Sequence, residues 1–114
     1  MLTLEKLAAY GADVETGLSR CMNMEDFYLR LVQVEMTDAN FDRLNAALAA
    51  GDAKEGFEAA HALKGALANL SLTPLYTPVA EITELLRGAS GAVEVGDLPV
   101  RIDEQRAKLV ALAQ

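Results

Sequence analysis

The chain has 114 residues, 52% of them hydrophobic, which fits one domain over residues 1–114 with a buried core and excludes a disordered tail. With 17 Asp and Glu against 10 Lys and Arg, the formal charge is −7, so no basic stripe exists to displace phosphate counterions and nucleic acid is not an expected partner. No apolar run approaches the roughly 20 residues of a membrane span, the opening residues from Met1 to Gly11 lack the apolar stretch of a signal peptide, and the lone Cys21, with no CxxC or HxxxH pair, offers neither disulfide nor metal site. A cytoplasmic, monomeric, metal-free globular domain without membrane contact is expected.

Helical periodicity dominates. Thr3 caps a short helix that stops at Gly11, and Asp13 caps another running to about Cys21. Asn23 opens the longest stretch without Gly or Pro, Met24 to Ala50. In it Phe27, Leu31, Val34, Phe41 and Leu48 recur at steps of 4, 3, 7 and 7, which keeps one face in phase across the polar Thr37–Asn40 segment and predicts a single long helix. Gly51 ends it, and Asp52 caps the next helix, to about Leu70. Thr73 followed by Pro74 reads as an N-cap and a first-turn proline, and Thr77 followed by Pro78 repeats the signal four residues later; if the helix starts at Pro74, Pro78 removes one early hydrogen bond and bends the first turn. Val79, Ile82, Leu85 and Leu86 then form an apolar stripe that Gly88 stops. Gly88 to Asp97 reads as a loop, and Asp97 and Pro99 start a last helix carrying Ile102, Leu109 and Leu112 on one side. The expected fold is all-α: an antiparallel four-helix bundle capped by one or two short N-terminal helices. Cys21, Met22, Met24 and Met36 are read as buried core and cap filler.

One constellation carries chemistry. The only histidine, His61, lies midway along the helix that follows Asp52. At about 100° per residue it points roughly 120° to 180° away from Leu63, Leu67 and Leu70, toward solvent. Phe57, Lys64, Gly65 and Ala68 fall beside it at i−4, i+3, i+4 and i+7. A glycine inside a helix costs about 1 kcal/mol relative to Ala. Close packing against a neighbouring helix is one account of Gly65; since it lies on the His61 side, close approach by something external is the other. Lys64 disfavours an imidazolium, and suits a neutral nitrogen nucleophile that receives a dianionic phosphoryl group. Phe57, between the leucine face and His61, is either core or part of a docking patch, and Ala68 continues that patch.

The run from Ala60 to Leu70, A-H-A-L-K-G-A-L-A-N-L, resembles the phosphorylation motif of histidine-containing phosphotransfer (HPt) domains, A-H-x-L-K-G followed by small residues. The segments Asp13 to Arg20, Tyr28 to Leu31, Leu44 to Asp52, Leu72 to Tyr76 and Glu81 to Arg87 are similar to that family as well, so the resemblance covers nearly the whole chain. It departs at Ser71, where the family usually has Gly, and at Pro78, which interrupts a helix the family runs continuously. The resemblance implies that His61 is phosphorylated, Lys64 is its charge partner and Gly65 leaves room for a partner's active site. It implies a phosphocarrier of two-component phosphorelays that accepts the group from a receiver-domain aspartate and passes it to another. Its partners would be response-regulator receivers or a hybrid sensor kinase, and the Mg²⁺ would be held by the receiver, with no cofactor of the chain's own. No P-loop or Gly-rich nucleotide motif is present, so no kinase activity toward ATP is expected. The rival reading is a helical adaptor that binds a partner without chemistry, His61 being incidental.

Overall fold

The capping signals at Thr3, Gly11, Asp13, Gly51 and Asp52 each bound a helix in the computed structural model, which describes residues 1–114. There are seven helices and no strand: α1 (Leu4–Tyr10), α2 (Val14–Arg20), α3 (Glu25–Met36), α4 (Asn40–Ala50), α5 (Ala53–Asn69), α6 (Thr73–Leu86) and α7 (Leu98–Ala111). Side-chain oxygens of Thr3, Asp13 and Asp52 accept from the backbone N–H three residues on, and Gly11 and Gly51 end α1 and α4 in the left-handed conformation. α4 packs along α5, α5 along α6 and α6 along α7, while α7 returns to α3. With α3 and α4 in succession as one member, these two and α5, α6 and α7 make the four-helix bundle. No helix is long and apolar enough to cross a membrane.

One apolar cluster runs through all four members. It is built from Tyr28 and Val32 on α3, Phe41 and Leu44 on α4, Leu63 and Leu67 on α5, Leu75, Val79, Ile82 and Leu86 on α6, and Ile102 and Leu109 on α7. Burying each such side chain contributes about 1.5–3 kcal/mol before entropy is counted. The two short helices close one end: Tyr10 Oη donates to the Gln105 carbonyl at 3.1 Å, and the Asp13 N–H to the Ser71 carbonyl at 3.0 Å. Gly17 makes room there, because a Cβ on it would lie 2.7 Å from the Tyr28 ring. Tyr28 itself is buried and donates its hydroxyl to the Leu70 carbonyl at 2.8 Å.

The stretch from Met24 to Ala50 is two helices, not the single one its periodicity predicts. Thr37 and Asp38 bond back three residues, to Val34 and Glu35, and the Thr37 hydroxyl also donates to the Val34 carbonyl at 3.1 Å. Asp38 Oδ1 then accepts from the Asn40 N–H at 2.8 Å. Short polar side chains thus take over backbone groups and break the helix without Gly or Pro. The buried face of α3 is also one position round from the predicted stripe: Tyr28, Val32, Glu35 and Met36 face inward, whereas Phe27 and Val34 are exposed and Leu31 is half-buried. Met22 and Met24 are exposed rather than filling the cap, while Cys21 and Met36 are buried. On α6, Leu85 is exposed and Val79, Ile82 and Leu86 are buried. The N-cap of α6 is Leu72 and not Thr73, which is the first helical residue; Pro78 sits inside the helix, buried.

Ser71 resolves its departure from the family pattern in a specific way. The Ser71 N–H bonds the Ala68 carbonyl and the Leu72 N–H the Leu67 carbonyl, each at 3.1 Å, and Ser71 has φ 56°. This is a Schellman end to α5 with serine where glycine is unstrained, and Leu67 and Leu72, both buried, supply its apolar contact. Left-handed backbone costs a non-glycine residue about 1–2 kcal/mol. Ser71→Gly should therefore raise stability by about 1 kcal/mol, read as a higher urea midpoint with unchanged slope.

Glu35 makes stability depend on pH. Its side chain is buried and Oε2 has no partner. Burial, then a hydrogen bond with Asp38 and the Asp38 charge, push its carboxyl from the ordinary 4.5 up to about 8. The folded chain keeps the Glu35 proton where the unfolded chain has lost it. The stabilisation is complete below 4.5 and lost as pH rises through about 8. The melting temperature should fall across that window, and Glu35→Gln should flatten the fall.

Candidate functional site

The site is built on the outer face of α5. Ala59, Ala60, Leu63 and Leu67 turn inward with no exposed surface, and Gly56 lets α6 approach: a Cβ there would stand 3.2 Å from Leu86 Cδ1 and 3.6 Å from Ala47 Cβ. Across α4, Arg43 bonds the Glu55 and Glu58 carboxylates. These contacts fix the rotation of α5 about its axis, and that rotation leaves His61 exposed.

Four side chains form a linked cluster that begins at the imidazole. Phe57, one turn earlier and half-buried, stacks on His61 with ring centroids 5.5 Å apart and planes 14° from parallel. The Arg87 guanidinium lies over the same Phe57 ring, 5.0 Å from its centre. Arg87 is held by Glu84 through two hydrogen bonds, of 3.1 and 2.9 Å. Lys64 Nζ is 3.8 Å from Glu84 Oε2. The Glu84 carboxyl is held below its ordinary range, first by the Arg87 hydrogen bonds and further by the charges of Arg87, Lys64 and His61, against partial desolvation. Two cations and one carboxylate thus leave one positive charge beside the ring.

Of the two accounts of Gly65, the structure removes packing. A Cβ built there would meet nothing within 4 Å, unlike Gly56 nine residues earlier on the same helix. Gly65 leaves open space one turn from the imidazole. Ala68 is half-buried two turns along, its carbonyl capped by the Arg20 guanidinium. Beside Phe57, a cleft of about 520 Å³ opens between Gly51–Lys54 and Gly88–Gly91. No group of three or more His, Cys, Asp or Glu side chains is gathered that could hold a metal ion.

Glu84 and Arg87 are the members that inspection of the motif missed. Their signal was in the hairpin register: with the turn at Ser71, residues near 84–87 return opposite Phe57 and His61, as the Gly56–Leu86 contact shows. Opposite charges three apart on a helix are also natural partners.

The structure is thus an all-helical bundle that presents one exposed histidine, two cations linked to it through Glu84 and Phe57, and a bare glycine. A family model described as the Hpt domain matches residues 28–114, from within α3 to the last residue. The chain belongs to the Hpt domain family, whose role is histidine phosphotransfer in phosphorelays, as phosphocarriers rather than catalysts. Members interact with receiver and kinase domains. No curated protein and no solved structure matches the chain.

Proposed function

We propose that His61 is the phosphorylated residue of this chain, taking the group from a receiver-domain aspartyl phosphate and giving it to a second receiver. What supports the reading most is the empty space at Gly65 beside an exposed His61, in a chain of this family. A ring nitrogen of neutral His61 attacks phosphorus with its lone pair. The P–N bond forms as the acyl P–O bond breaks, its electron pair going to the departing aspartate. The other ring nitrogen keeps its hydrogen. Mg²⁺ for this step is assigned to the receiver's carboxylates. Lys64, within a turn of His61, stabilises the added charge, Gly65 admits the receiver's aspartate, and Phe57 and Ala68 belong to the docking surface. The partners are response-regulator receivers or a hybrid sensor kinase, and the chain acts as a cytoplasmic monomer.

Incubation with a phosphorylated receiver tests this. Phosphate that moves to the chain and is acid-labile but base-stable supports the carrier. Binding without transferred phosphate would favour the adaptor reading.

A further inference from the structure

Glu84 is out of place in a site that must receive a dianion. Its carboxylate contacts both cations near His61, Lys64 at 3.8 Å and Arg87 at 2.9 Å. Stability does not explain it, because Glu84 and Arg87 are both more than half exposed and exposed ion pairs add little. Position does. The Arg87 guanidinium lies over the Phe57 ring, which itself stacks on His61, so the cation that Glu84 holds stands on the ring that borders the imidazole, where a group on His61 competes with Glu84 for it. Lys64, i+3 from His61, can make the same exchange with its flexible stem. A phosphoryl group carries about −2, more than the single charge of Glu84, and so competes for both cations at once.

We propose that Glu84 is a resident counter-ion that holds Lys64 and Arg87 at the site while His61 is free, and yields them when His61 is phosphorylated. Glu84 acts through those cations and is a positioning residue. By remaining nearby as a like charge, it also limits how long the phosphorylated state lasts, which keeps the group transferable. This rests on His61 being the acceptor.

The test charges the full-length chain with phosphoramidate, a donor small enough to need no docking. Its P–N bond breaks and ammonia leaves as the P–N bond to His61 forms. Phosphohistidine decay is then followed by ³¹P NMR at low and high salt. Glu84→Gln should lengthen the half-life about two- to fivefold at low salt, in line with one partly exposed charge interaction, and the gain should shrink at high salt. Glu84→Asp, which keeps the charge, should stay near wild type, and Lys64→Ala and Arg87→Ala should shorten the half-life. The Glu84→Gln melting curve should superimpose on wild type. An unchanged or shorter half-life for Glu84→Gln, or a gain indifferent to salt, would overturn the proposal while leaving His61 as acceptor. No phosphate on His61 in any variant would overturn both.

Discussion

His61→Gln is expected to abolish phosphoryl acceptance from a receiver while leaving the bundle folded. The chain has one histidine, so no second imidazole can replace it, and the glutamine amide nitrogen has its lone pair delocalised into the carbonyl and does not attack phosphorus. The ring is exposed and stacks on Phe57 with centroids 5.5 Å apart. Losing an exposed stack and a surface side chain should cost no more than about 1 kcal/mol. Circular dichroism and urea titration beside a radiolabel transfer assay check both halves. A variant labelled at the wild-type rate would assign the chemistry to another residue.

The second large effect separates two glycines on one helix. Gly65→Leu should keep the fold and lose about 100-fold in transfer from a receiver, the scale of misplacing reacting groups by an ångström or so. The space around Gly65 is open to a Cβ, so an exposed leucine there has no packed neighbour to displace at its root, and Gly65→Ala should even stabilise α5 by up to about 1 kcal/mol. The leucine instead stands where the receiver's aspartate must come. Labelling by phosphoramidate, which needs no docking, should persist. Gly56→Leu should do the reverse. Its Cβ alone would already be 3.2 Å from Leu86 Cδ1, and the further atoms overpack the α5–α6 contact, costing about 1–3 kcal/mol or more. A Gly65→Leu chain that unfolds, or that accepts from a receiver at full rate, contradicts the reading of the gap.

These two glycines also show what the sequence alone could and could not carry. The helical phase of His61 against Leu63, Leu67 and Leu70 was enough to place the ring in solvent, because α5 has a single strongly apolar face. α3 has two, Phe27–Leu31–Val34 and Tyr28–Val32–Glu35–Met36, and local periodicity could not choose between them. The choice was made by tertiary contacts: the Tyr28 hydroxyl on the Leu70 carbonyl and the space left by Gly17. The break at Thr37–Ala39 escaped because it rests on side-chain bonds of Thr37 and Asp38 and not on Gly or Pro. Ser71 was noticed as a departure, yet only the backbone shows that it pays for the left-handed cap in strain. Glu84 and Arg87 complete the site from a different helix, so they become visible only once α6 is folded back on α5.

The most direct measurement is the position of the phosphate itself. Wild-type chain charged by a phosphorylated receiver, digested under basic conditions and fragmented by electron transfer, reports the modified residue. Phosphate on His61, and on no other residue, is the predicted result. Phosphate on an aspartate, glutamate or serine, or a chain that binds the receiver and carries none, would contradict it.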